Sequence, residues 1–163
     1  MSSNFKLAPS TSIGHVHLKV TDLERSIVFY QDIMGFELTQ RHGQQAAFLS
    51  AGGYHHHIGL NTWHSQGASP APERAAGLYH AAILVPTRLE LSRFLRHLVG
   101  TGHPLDGAAD HGVSHALYLR DPDQNGIEVY WDLPSAEWPR NAQGELEMGT
   151  KHLDLQALLD LSL

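Results

Sequence analysis

The stretch Gly14-His15-Val16-His17-Leu18-Lys19-Val20-Thr21-Asp22-Leu23 decides the fold once it is set beside Tyr79-His80-Ala81-Ala82-Ile83-Leu84-Val85-Pro86-Thr87-Arg88-Leu89. Each begins with a histidine-bearing run in which apolar residues recur at every second position, the period of a half-buried strand. Each then passes into a capping-box pattern, Thr21 with Glu24 and Thr87 with Glu90, which marks a helix start. The helices that follow carry apolar stripes, Ile27, Tyr30, Ile33 and Met34 in the first and Leu91, Phe94, Leu95 and Leu98 in the second. Gly35 and Gly100 are the expected stops. At an offset of 65 residues His15 meets His80, Val20 meets Val85, Phe29 meets Phe94 and Gly35 meets Gly100.

Working outward, strand candidates follow at Phe36–Gln40, Ala46–Ser50 and His56–Asn61, and in the second half at Ala116–Leu119 and Gly126–Asp132. There the offset becomes 69, with Phe48 meeting Leu117 and Ile58 meeting Ile127. The four additional residues are expected as a longer loop between Gly100 and Ala116. Duplication at a fixed offset is an architectural signal. It predicts an α+β fold of two βαβββ modules forming a cupped mixed β-sheet around a metal cavity, with helices outside. Module one spans 13–64 and module two 78–133, joined by a Pro/Ala/Ser/Gly-rich linker over 65–77. A loose N-terminus (1–12) precedes this single domain. A tail over 134–163 follows, with a Trp-Pro turn and a short amphipathic helix.

Composition narrows the function. The formal net charge is −6 with no basic stripe, which argues against a nucleic-acid footprint. The chain has no cysteine, so thiolate sites and disulfides are excluded. No run approaches the roughly 18 apolar residues of a membrane span, and the first twelve residues lack a signal-peptide core. The expectation is a cytoplasmic protein with no membrane partner. Thirteen histidines among 163 residues stand out, because histidine is a metal ligand that titrates near neutral pH.

Strand parity selects among them. The apolar sets Val16/Leu18/Val20, Ala81/Ile83/Val85, Ile58/Leu60 and Ile127/Val129 should pack on the helices. The opposite face then carries His15, His17, His57, Gly59, His80, Tyr118, Glu128 and Tyr130. His15, His80 and Glu128 form the convergent set. Two imidazoles and one carboxylate make a facial triad that leaves coordination positions open. His42, His64, His97, His103 and His152 have no convergent context and read as surface residues.

These motifs, with Phe29-Tyr30, Met34-Gly35-Phe36 and Asp121-Pro122-Asp123-Gln124-Asn125-Gly126-Ile127-Glu128, resemble the vicinal oxygen chelate superfamily of glyoxalase I, bleomycin-resistance proteins and extradiol catechol dioxygenases. The resemblance covers about Ile13 to Trp131. It implies metal ligands at His15, His80 and Glu128. The further carboxylate or amide ligand of two-module glyoxalases falls on Gly59, which has no side chain, so the resemblance leans toward an open, three-ligand dioxygenase site. It implies an acid–base role for His57 in the run Tyr54-His55-His56-His57. It also implies substrate contact for Tyr118, and His111 of the Asp110–His115 loop joins these as a catalytic candidate. The expected activity is ring cleavage of a catechol-like small aromatic by O2 on a divalent metal, Fe(II) first, with Zn, Mn, Ni or Co as alternatives. A glyoxalase-type isomerase or lyase and a small-molecule-binding resistance-type protein are the competing classes. Familiar extradiol enzymes often have four modules and this chain has two, so a homodimer is expected to complete the site.

Overall fold

The computed structural model describes residues 4–162; the first three residues of the N-terminal segment, and Leu163, lie outside the described residues. Module one begins with β1 (Val16–Lys19), in which Leu18 is buried while His17 and Lys19 are exposed. Asp22, not Thr21, caps α1 (Leu23–Val28) by accepting the Arg25 N–H at 3.0 Å. Thr21 is drawn away: its N–H and hydroxyl both donate to Asp123 of the second module. A π-helical turn, Phe29–Ile33, extends α1, and Gly35 at φ 78° ends it. Then come β2 (Glu37–His42), β3 (Ala46–Ser50) and β4 (Ile58–Asn61). The first sheet has the order β1-β4-β3-β2, with β1 and β4 parallel and the other pairs antiparallel.

Module two repeats this plan with β5 (His80–Leu84), α2 (Arg88–Thr101), β6 (Gly107–Asp110), β7 (Ser114–Arg120) and β8 (Gly126–Asp132). Thr87 caps α2 as expected, accepting the Glu90 N–H at 3.1 Å. The helix runs through Gly100 and stops at Gly102, which is left-handed at φ 68°. The segment expected as a loop before Ala116 holds β6. The tail contributes β9 (Lys151–His152) to the β6 edge, giving the order β5-β8-β7-β6-β9, and ends in α3 (Leu155–Leu159).

The fold is thus α+β with two mixed sheets of four and five strands. Each module keeps its own sheet, and β1 and β5 are both edge strands. One apolar cluster runs through both modules, from Val20, Ile27 and Leu60 to Leu95, Leu117 and Val129. Polar ties lock it. The Tyr30 hydroxyl donates to Asp121 at 3.2 Å, and Arg25 pairs with Asp123 at 2.6 Å. His97, exposed as expected, and the half-buried His103 also make inter-module contacts. His97 donates to the Asp32 carbonyl at 2.7 Å, and the His103 ring packs 5.4 Å from Phe29. Among the described residues no helix is long and apolar enough to cross a membrane.

Candidate metal centre

In module two the parallel pair β5/β8 sets Ala82 opposite Glu128. The small Ala82 leaves the carboxylate free to turn toward the strand start. There Glu128 Oε2 lies 3.0 Å from His80 Nε2. Gly126 makes this approach possible: a Cβ on it would stand 2.2 Å from the Tyr79 carbonyl oxygen and 3.2 Å from His80 Cβ. On the other side of β8, Tyr118 of β7 donates its hydroxyl hydrogen to Glu128 Oε1 at 2.9 Å. His111, on the turn after β6, places Nε2 at 2.6 Å from that hydroxyl. His80, Tyr118 and His111 line a cavity of about 400 Å³ together with Tyr79, Ile127 and Thr150. A larger cavity, about 750 Å³, lies beside Thr21, Glu24 and Arg41. Its Arg41 is paired with Glu24, at 2.5 and 2.8 Å.

Module one is arranged differently. Its β1/β4 pair sets His17 opposite Gly59, and a Cβ on Gly59 would stand 2.8 Å from His17 Cγ. The imidazole thus occupies the space a ligand at 59 would need. His15 is exposed, with its ring 4.3 Å from that of His56. His56 in turn packs 5.0 Å from Phe48, the residue paired with Gly59. His57 is turned elsewhere. Its Nδ1 accepts the Ala51 N–H at 3.2 Å and contacts the Ser50 hydroxyl at 3.1 Å, and its ring packs beside Tyr54 and Phe36. The alternation used to place His57 on the cavity face holds only from Ile58, where β4 starts, so His56 stands beside His15 instead.

The structure therefore brings together His80, Glu128, Tyr118 and His111, and leaves His15 and His57 apart from them. Among the described residues, no group of three or more His, Asp or Glu is placed to hold one ion. Burial, then the bond to Glu128, pushes the Tyr118 hydroxyl well above its ordinary value, so it keeps its proton. Burial, then the neighbouring His15, lowers His17, and burial followed by His15, His55, His17 and His57 lowers His56. Asp132 is raised by burial and by Glu128. Sequence reasoning missed the spacers Ala82 and Gly126, and it missed the tail residues Gly149 and Thr150 against His111. The glycine before Ile127-Glu128 was a readable signal; nothing in the tail was.

The family model described as the Glyoxalase/Bleomycin resistance protein/Dioxygenase superfamily matches residues 12–129. A catechol-2,3-dioxygenase of Bacillus subtilis is 39% identical over 155 residues, covering 92% of this chain and 52% of that protein. A manganese-dependent 2,3-dihydroxybiphenyl 1,2-dioxygenase of Geobacillus genomosp. 3 is 24% identical, covering 86% of this chain and 42% of its own length. The chain thus spans about half the length of these relatives. Among solved structures, a glyoxalase/dioxygenase from Nostoc punctiforme superposes with a TM-score of 0.63 at 20% identity, covering 82% of this chain and all of that one.

Proposed function

Because the chain belongs to the glyoxalase/bleomycin resistance protein/dioxygenase superfamily, we propose that it is an extradiol-type ring-cleaving dioxygenase acting on a catechol-like aromatic with O2. The observation that carries this is the connected set His80–Glu128–Tyr118–His111, of which His80, Tyr118 and His111 line one cavity. Similarity to proteins named as catechol and dihydroxybiphenyl dioxygenases supports it, and the absence of a side chain at Gly59 argues against a four-ligand site.

The donor set fits a divalent metal. His80 and Glu128 offer an imidazole nitrogen and a carboxylate within 3.0 Å, and His80 Nδ1 is buried without a partner. The third ligand is His15, and we assign it to a second copy of the chain. Within one chain the core and the Asp121 and Asp123 ties hold the two modules fixed. The edge strands β1 and β5, flanked by exposed Ile13, Leu78 and Tyr79, offer a surface for that copy. Fe(II) is the metal we assign, with Mn(II) the first alternative given the manganese-dependent relative. When bound, such an ion would act as a Lewis acid and a template for both reactants. The chain's own residues do the rest. Tyr118 orients the Glu128 carboxylate and presents a protonated hydroxyl to the cavity. His111 stands ready to exchange a proton with it. His56, brought in with His15, is the module-one imidazole that would face the substrate, in place of His57.

Anaerobic reconstitution with Fe(II) or Mn(II), followed by oxygen uptake with catechol and 2,3-dihydroxybiphenyl, tests the reaction. Mixing inactive His15→Ala with inactive His80→Ala protein tests the shared site. Mixed dimers regain one intact site and therefore activity, whereas a site built within one chain stays dead in the mixture.

A further inference from the structure

We infer that the C-terminal arm, residues 144–152, is a positioning element of the site: the Gly149 carbonyl fixes the tautomer of His111, so that Nε2 alone faces Tyr118. The arm is threaded over the β6–β7 turn. A Cβ on Gly112 would stand 3.0 Å from Pro139 Cγ, and the Glu147 N–H donates to the Pro139 carbonyl at 2.9 Å. Gly149 then exchanges two bonds with one residue. Its N–H donates to the His111 carbonyl at 3.1 Å, and its own carbonyl lies 2.8 Å from His111 Nδ1. Next, β9 pairs with β6 through Asp110–Lys151 and Ala109–His152. Beyond it, Leu153 and Leu158 are buried. Ser92 donates to the Leu158 carbonyl at 2.6 Å, and Arg96 donates to the Leu159 carbonyl. The arm is thus held at both ends, by Pro139 and by α2, and its middle lies on His111.

A carbonyl oxygen has no hydrogen to give, so the 2.8 Å contact requires the hydrogen on Nδ1. A free imidazole favours the hydrogen on Nε2, and the bond made by one ring nitrogen dictates the state of the other. Here the consequence reaches Tyr118, which has one hydroxyl hydrogen and two partners, Glu128 at 2.9 Å and His111 Nε2 at 2.6 Å. With Nδ1–H held by Gly149, Nε2 is an acceptor, and the single Tyr118 hydrogen can be given either to Glu128 or to Nε2. With the other tautomer it could only donate. The arm therefore makes His111 a second acceptor for the Tyr118 hydrogen. Its purpose rests on the proposed reaction; the tautomer itself does not.

The test reads the imidazole nitrogens of metal-free, 15N-labelled protein by long-range proton–nitrogen correlation above neutral pH. His111 is identified by its loss in His111→Gln. The expected result is the Nδ1–H form in wild type and in Gly149→Ala, where open space surrounds the new methyl. In the double variant Gly149→Pro/Lys151→Pro, with detachment verified by loss of the Ala109–His152 contacts, the signal should move toward the Nε2–H form. Reconstituted enzyme should then lose kcat by at least about tenfold, as expected for a mispositioned proton-transfer group, with little change in KM. An Nε2–H pattern in wild type overturns the inference, as does an unchanged pattern once the arm is detached. Absence of ring cleavage with the Nδ1–H form in place counts against the dioxygenase reading alone.

Discussion

The two modules meet the same local problem with opposite answers. In module two the strand pair next to the helix crossover sets Ala82 opposite Glu128, and Tyr118 stands across from Glu128 on the next strand. In module one the equivalent positions are His17, Gly59 and Phe48. The small residue sits on the first strand in one module and on the last strand in the other. The polar group therefore rises from opposite sides of the pair. Module two offers a carboxylate steadied by a hydroxyl. Module one offers imidazoles against an aromatic ring that can donate nothing. The metal site proposed above therefore draws its carboxylate from module two alone.

The largest effect should come from removing that carboxylate. Glu128→Ala should abolish stoichiometric divalent-metal binding, measured by elemental analysis after gel filtration. Tyr118→Phe, which gives module two the module-one side chain, should lower metal affinity by about 10–100-fold, the usual scale for losing a partner of a ligand. Equal metal content in both variants would mean that the asymmetry between modules has nothing to do with metal.

The next test forces module one to imitate module two. Gly59→Glu places a Cβ 2.8 Å from His17 Cγ, so His17 must move, at a cost of about 1–3 kcal/mol as in other overpacked sites. Adding His17→Ala recreates the Ala-opposite-Glu pair and should recover most of that loss. The coupling between the two changes should be on the order of 1–2 kcal/mol by denaturant unfolding. Additive effects would show that the His17 ring is not what excludes a carboxylate from this position.

Much of this asymmetry was legible in the sequence. The 65-residue offset pairs His15 with His80, strand parity adds Glu128, and the 69-residue offset leads from Glu128 to Gly59. What failed was pairing and parity. Period two fixes which residues share a face, but not the register against the neighbour. The offset of 69 sets Phe48 against Leu117, whereas the ladders pair it as Tyr118 is paired. His57 falls on the cavity face only if the strand alternation extends back from Ile58 into a segment that is not strand. The strand β6 was invisible because Gly107-Ala108-Ala109 carries no alternation. Its place is set by the β7 ladder and by the arm, both remote in sequence. That His15 lies apart from His80 and Glu128 follows from how the modules share a core, which no local pattern encodes.

A smaller difference lies in the turns before β4 and β8. The first uses Gly52 and Gly53, both with positive φ; the second places Gln124 at φ 67°. Gln124 is exposed, and its N–H closes the turn onto the Asp121 carbonyl at 2.9 Å. A side chain in the left-handed region costs about 1–2 kcal/mol, part of which glycine gives back through its freer unfolded chain. Gln124→Gly should therefore stabilise the protein by a net gain of about 0.5 kcal/mol. A loss in thermal unfolding would show that the Gln124 side chain contributes more than the turn it strains.

The smallest expected effect separates the modules by pH. β7 has seven residues where β3 has five, and its additional end carries Ser114 and His115. The His115 ring packs 5.5 Å from Trp131 with Nδ1 buried and unpartnered, and Asp110 is 4.0 Å from Nε2. Burial lowers its pKa below the ordinary 6.5; Asp110 works against that shift and Arg88 adds to it. The folded state thus favours neutral His115. Above pH 6.5 neither state binds the proton, and the full contribution to stability is present. As pH falls through 6.5 toward the lowered folded value, the unfolded chain takes up a proton that the native state resists, and stability drops. His115→Gln should flatten the decline in melting temperature over that window and leave it unchanged above. An identical slope in the variant would assign the acid sensitivity to other groups, with the exposed imidazoles of module one the first to examine.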